Sequence, residues 1–119
     1  MIPSFLLAKL YVKGSLKNNE TGFEFALKNI IDPTMLIGIG PIGVDEKNYE
    51  SEAITLTVAD KIVNGPELSD QNSILVRVGV PIKVSVIADR LAAGAQHITV
   101  AATTTDIGKI KFDISDTIQ

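Results

Sequence analysis

The chain has no cysteine, no tryptophan and a single histidine, and only 5% of its residues are aromatic. Each shortage excludes something. Without cysteine there is no disulfide framework and no thiolate nucleophile. One histidine, His97, and no cysteine cannot supply the several ligands a zinc site takes, and no metal or other cofactor is expected. Scarce aromatics argue against a sugar cleft. Lys and Arg number 11 against 14 Asp and Glu, a formal net charge of -3, so the basic patch of a nucleic-acid binder is missing. No apolar run approaches the roughly 18 residues that cross a bilayer. The start, MIPSFLLAKLYVKGSL, lacks a basic n-region, and Lys9 interrupts its short apolar stretch, so it does not read as a signal peptide. A cytoplasmic protein is the default expectation; an extracellular one would need a removed leader.

What is present is alternation. The 119 residues make one domain's worth, Met1 to Gln119, with 45% hydrophobic side chains. A domain of this size buries about two-thirds of its unfolded surface, enough for a core without staples. Apolar residues recur at every second position: Leu10 to Leu16, Phe23 to Leu27, Ile54 to Val58, Ile74 to Val80, Ile82 to Val86, Ile98 to Ala102 and Ile110 to Ile114. Period two is the signature of strands with one wet face. Turn signals separate the runs: Asn18 to Gly22, Asp32-Pro33, Asn64-Gly65-Pro66 and Asp106-Ile107-Gly108. Only Ala88 to Ala95 has a helical flavour, and it is too short to stand alone. The expected core contains Leu10, Val12, Phe23 or Phe25, Leu27, Ile54, Leu56, Val58, Val76, Val84, Val86, Ile98, Val100, Ile110 and Phe112.

One motif promises chemistry. Gly38 to Gly43 spell GIGPIG, the G-x-G-x-x-G of dinucleotide folds. That motif holds a pyrophosphate only where its loop opens a helix. Val44 to Glu50 lack apolar residues at helical spacing, and no βαβ unit follows, so the glycines read as places where a strand bends or another backbone approaches closely. No G-x-S-x-G supplies a nucleophile elbow. Asp106, Asp113 and Asp116 follow no calcium-loop spacing. His97 lacks an evident catalytic partner and reads as a strand-end residue. No catalytic residue is nominated.

Leu91 to Val100, followed by Asp106-Ile107-Gly108 and a closing strand, resembles the end of immunoglobulin-like modules. Val78-Gly79 and the strand Ile82 to Val86 fit the same pattern. The resemblance covers about the last third of the chain. It implies an antiparallel immunoglobulin-like β-sandwich of about seven to nine strands, with roles in adhesion, partner binding or assembly. The antibody-type cysteine pair and core tryptophan are absent, as is a tyrosine between Ile98 and Ala102.

Two segments exceed what one core needs: the apolar start, Ile2 to Ala8, and Met35 to Val44, apolar on both faces. A non-enzymatic structural or interaction protein that associates with itself is the leading expectation, through Ile2, Phe5, Leu6, Leu7, Met35, Ile37 and Ile39. Lys9, Lys13 and Lys17 oppose the acidic loop of Asp45, Glu46, Glu50 and Glu52; this is either a pair of solvated faces or a subunit contact. The alternative is a small-ligand or peptide-binding module with an apolar pocket between the sheets and Arg77, Arg90 or His97 at its mouth. An enzyme with carboxylate-based chemistry ranks third.

Overall fold

The longest alternations become the longest strands. The computed structural model describes residues 3–118, so Ile2 lies outside them. The strands are β1 (Lys17–Asn18), β2 (Gly22–Lys28), β3 (Thr34–Val44), β4 (Lys47–Tyr49), β5 (Ile54–Val58), β6 (Lys61–Asn64), β7 (Ile74–Val76), β8 (Pro81–Ile87), β9 (Gly94–Thr104) and β10 (Gly108–Ile118). They form two antiparallel sheets, ordered β1-β2-β8-β5-β6 and β10-β9-β3-β4, with β7 also paired to β3. The all-β sandwich expected from the alternation is present. Three of the ten strands among the described residues, β1, β4 and β7, are only two or three residues long.

Every second side chain of each sheet points inward, and the inward sets meet in one core. Phe23 and Phe25 are both buried, because a spacing of two puts them on one face. Ile42, Ile54, Leu56, Val84, Val86, Ile98 and Val100 complete its centre. Leu10, Leu27 and Ile110 pack against it from partly buried positions. The hairpin β9–β10 keeps an unbroken register from Gly94↔Ile118 to Thr104↔Gly108. The segment Ala88 to Ala93 is a loop that carries the chain between sheets. GIGPIG lies inside β3, where the pairing to β9 shifts register between Leu36 and Gly38 and again between Ile39 and Ile42.

The first alternating run does not become a strand. Ser4–Leu7 form a short helix and Ala8–Leu10 a 3-10 turn. Tyr11 makes one isolated bridge to Leu27, and the chain then turns, Ser15 N–H donating to the Val12 carbonyl at 3.1 Å. Gly14 takes φ +85, which a side chain disfavours. Val12, expected in the core, is therefore exposed. The turn is held from the far end of the sequence. Asp116 Oδ2 accepts the Tyr11 hydroxyl at 2.6 Å, Gly14 N–H at 2.9 Å and Leu16 N–H at 3.4 Å. This clamp ties the N-terminal segment to β10.

Burial is the largest single influence on Asp116 and pushes its carboxyl up. The hydrogen bonds from Tyr11, Thr117, Gly14 and Leu16 together outweigh it and hold the carboxyl below the usual carboxylate value. A depressed folded-state pKa means that the clamp's stabilisation is fully present above the unfolded carboxylate pKa of about 3.9 and is lost as pH falls through the folded value. Asp116→Asn should shrink the loss of stability over that acid window, with little change in the slope between pH 6 and 8. Urea midpoints measured across pH test this; an unaltered acid limb would contradict it.

Candidate functional site

The two ends of the sandwich differ, and the difference follows from which loops meet there. At one end stand the β2–β3 loop, the β7–β8 loop and the β9–β10 turn. Asn29 knots the first two together. Its Nδ2 donates to the Asp32 carbonyl at 2.8 Å and the Val76 carbonyl at 3.1 Å, its Oδ1 accepts Ile31 N–H at 3.0 Å, and its backbone carbonyl accepts Gly79 N–H at 2.7 Å. Thr105 N–H donates to the Met35 carbonyl at 3.0 Å and brings the third turn in. Asparagine suits this because its side chain offers both donors and an acceptor to backbone that lacks strand partners.

The same end carries exposed apolar side chains: Ile30 (47% exposed), Leu75 (42%), Val78 (50%) and Ile107 (39%). Leu75 sits directly across from Met35 in the β3–β7 ladder, so this surface runs onto the outer face of β3. Met35 and Ile37 are half-buried there. Charges around this end are Lys28, Lys61, Arg77 and Lys109 against Asp32, Asp60 and Asp106, all exposed.

Between the sheets at this end lies a cavity of about 80 Å³. Leu56, Val84, Val100, Ala102 and Phe112 form its depth, and the exposed Lys28, Asp32 and Ile107 form its rim. Thr34 also lines it, and its Oγ1 is buried with no hydrogen-bond partner among the described residues. Pockets for drug-sized ligands run roughly 300–1,000 Å³, so this one admits only a slender group. A void of this size forgoes about 2 kcal/mol of packing at roughly 24 cal/mol per Å³. A buried, unpaired hydroxyl adds to that. Thr34→Val keeps the shape and removes the orphan oxygen. It should stabilise the protein by about 1 kcal/mol, roughly 4 °C in Tm for a domain of this length. Thermal unfolding checks this; an unchanged or lowered Tm would mean that the hydroxyl is satisfied.

At the opposite end a shallower cleft of about 470 Å³ is lined by Val44, Tyr49 and Leu91 together with Asp45, Glu46, Lys47, Asp89 and Arg90. Glu50 and Glu52 stand exposed nearby, in the connection from β4 to β5. Two side chains shape this end. Asn18 Nδ2 donates to the Leu91 carbonyl at 2.9 Å and its Oδ1 accepts Leu91 N–H at 2.8 Å. Gln96, buried, donates to the Ala92 carbonyl at 2.8 Å.

The residues singled out from the sequence divide between these places. Arg77 is exposed near the cavity end but does not line the cavity; Arg90 lies in the acidic cleft. His97 is exposed on β9, its Nε2 3.8 Å from Asp113 Oδ1; it lines neither, though its backbone carbonyl accepts Asp45 N–H at 2.9 Å beside the acidic cleft. None of the three stands at the mouth of the apolar pocket. Leu7 and Ile39, nominated for self-association, are buried in the chain's own core, whereas Phe5 is 71% exposed on the short helix and Leu6 half-buried. Lys17 is drawn to Glu24 of the same sheet at 3.9 Å. Asp113 and Asp116 stand three positions apart on an unbroken strand, hence on opposite faces, and do not converge with Asp106. No group of three or more metal-ligating side chains is found among the described residues. No helix among them is long and apolar enough to cross a membrane.

The roles that Asn29, Asn18, Asp116, Thr34 and the exposed quartet take in the fold do not show in the sequence. Asn18 stands in a segment legible as a turn, and Asn29 carries no such signal; the partners the two tie lie 73 and 47 positions away.

No curated protein matches the chain. A family model described as hydroxymethylglutaryl-CoA reductase, N-terminal domain, matches residues 6–119, from the short helix through the last strand. With nearly its whole length inside that match, the chain belongs to the family of hydroxymethylglutaryl-CoA reductase N-terminal domains.

Proposed function

We propose that this chain is a non-enzymatic, immunoglobulin-like interaction module that associates with further copies of itself. The observation that carries the reading is the gathering of Ile30, Leu75, Val78 and Ile107, all exposed, at one end of the sandwich beside Met35 and Ile37. Contiguous exposed apolar side chains on a small domain are characteristic of contact surfaces.

The occupant that fits is the opposite end of a second copy. That end offers a cleft with an apolar floor, Val44, Tyr49 and Leu91, and an acidic rim. The projecting end carries the apolar side chains among Lys28, Lys61, Arg77 and Lys109, with Asp32, Asp60 and Asp106, so cations lead there by a single charge. Apolar against apolar and cation against carboxylate is the complementarity that guides docking. Joining unlike ends makes a head-to-tail contact, which closes into a ring or continues as a filament.

The strand order supports the immunoglobulin-like part. β1, β2, β8 and β5 fall in the order of strands A, B, E and D, and β10, β9, β3 and β4 in that of G, F, C and C′. The dispersed ionisable groups support the non-enzymatic part: His97 and Asp113 face outward, and Asp116 is consumed by its clamp on Tyr11.

Val78→Glu tests the reading. It sets a carboxylate on the projecting surface, facing an acidic rim, and should reduce the native mass to the 12.7 kDa of one chain. Light scattering coupled to size exclusion reads that mass. An assembly that survives Val78→Glu and Leu75→Glu together would place the contact elsewhere.

A further inference from the structure

The cavity at the apolar end is built as a site in its own right. We infer that it receives the aliphatic tail of a small, neutral amphiphile, a chain of about four carbons ending in a hydrogen-bonding head. The depth is formed by Leu56, Val84, Val100, Ala102 and Phe112, which present no polar atom that a tail would strip of a partner. Apolar cavities of this kind stay dry and take apolar guests; one of about 150 Å³ holds a benzene ring. At about 80 Å³ this one is too small for a ring and matches a short chain. The cavity reaches the surface, because exposed Lys28, Asp32 and Ile107 belong to its lining. A guest therefore has a route in and a place for its head.

The rim selects the head. Thr34 Oγ1 lacks a partner among the described residues and can both donate and accept. Lys28 and Asp32 bring one charge of each sign, so a carboxylate or an ammonium head meets repulsion as well as attraction. A hydroxyl or amide head meets neither penalty. This inference does not rest on self-association, because it concerns the space between the sheets, although the cavity's mouth shares Lys28 and Ile107 with the proposed contact surface.

The test uses 1-butanol titrated into the full chain, followed through methyl resonances in proton–carbon spectra. Saturable shifts confined to methyls that line the cavity, those of Leu56, Val84, Val100 and Ala102 among them, are expected, with ethanol weaker by at least tenfold. Ala102→Val should weaken 1-butanol binding at least tenfold by filling the space that the tail takes. Should that variant not fold, the chain-length series on the unaltered protein decides alone: affinity should rise to about four carbons and stop rising beyond. Shifts that fail to saturate, that spread over surface methyls such as Ile62, or that keep growing with chain length would overturn the site. So would a folded Ala102→Val that binds 1-butanol as before.

Discussion

Phe23→Ala should remove about 4 kcal/mol of stability, the largest effect of any single core truncation here. Phe23 is fully buried, inside β2 and opposite Val86 of β8. Truncating a buried phenylalanine loses its transfer free energy and leaves a void that neighbours fill only in part, about 3–5 kcal/mol in all. Phe23 also meets Tyr49 edge to face, ring centroids 5.7 Å apart and planes at 71°, a geometry worth about 1 kcal/mol beyond its area. A domain of this length has roughly 6–18 kcal/mol in total, so the variant should stay folded with much of its margin gone. Tyr49 lines the acidic cleft, so the same truncation should loosen the cleft floor. Urea unfolding measures the first effect; a loss under about 2 kcal/mol would mean that the core closes around the gap.

Gly22→Ala adds one methyl group and should cost about 3 kcal/mol. Its β-carbon would fall against the Val86 carbonyl oxygen and lie 2.6 Å from the Ala88 nitrogen. Both are backbone atoms of a paired strand and its continuation, so no side chain can swing aside. Strand β2 would have to part from β8 at its first rung, Gly22↔Ile87. Overpacking of this kind costs roughly 1–3 kcal/mol, and the rigid neighbours place it at the upper end. Gly14→Ala is the informative comparison. Nothing lies within 4 Å of its β-carbon, and only φ +85 opposes the change, so a loss of about 1 kcal/mol is expected. Equal losses at the two sites would mean that backbone conformation, not the close approach, governs Gly22. Thermal or urea unfolding of the pair settles it.

Much of the fold was legible because strands with one wet face write their period into the sequence. β5 (Ile54–Val58), β8 and the β9–β10 hairpin fall where the alternation puts them. The period misled at Leu10 to Leu16. There the alternation is real, but Tyr11 and the backbone of Gly14 and Leu16 are held by Asp116, 100 to 105 positions away. Such long-range capture leaves no local trace. Met35 to Val44 read as apolar on both faces, and the two register shifts in β3 explain why no simple period sorts them: Ile39 is turned inward, while Met35 and Ile37 remain half-buried.

The candidate site was legible only as a surplus. Met35 and Ile37 were noticed because one core does not need them. Ile30 carries no signal, Ile107 reads only as part of a turn, and Val78 reads as one face of an alternating strand although β7 ends at Val76 and leaves it exposed in a loop; only the folded connections bring the three together. The cavity is a difference between available and filled volume, summed over side chains from both sheets and the N-terminal segment, and no single residue announces it.

The most direct test of the account is the native mass of the unaltered protein by light scattering, over a range of concentrations and at low and high salt. Association of an apolar end with an acidic-rimmed cleft predicts a mass above 12.7 kDa that grows with concentration. Because charges of opposite balance guide the contact, the assembly should weaken as salt rises toward about 1 M, where screening acts over roughly 3 Å. A mass of 12.7 kDa at every concentration and both salt levels would contradict the account.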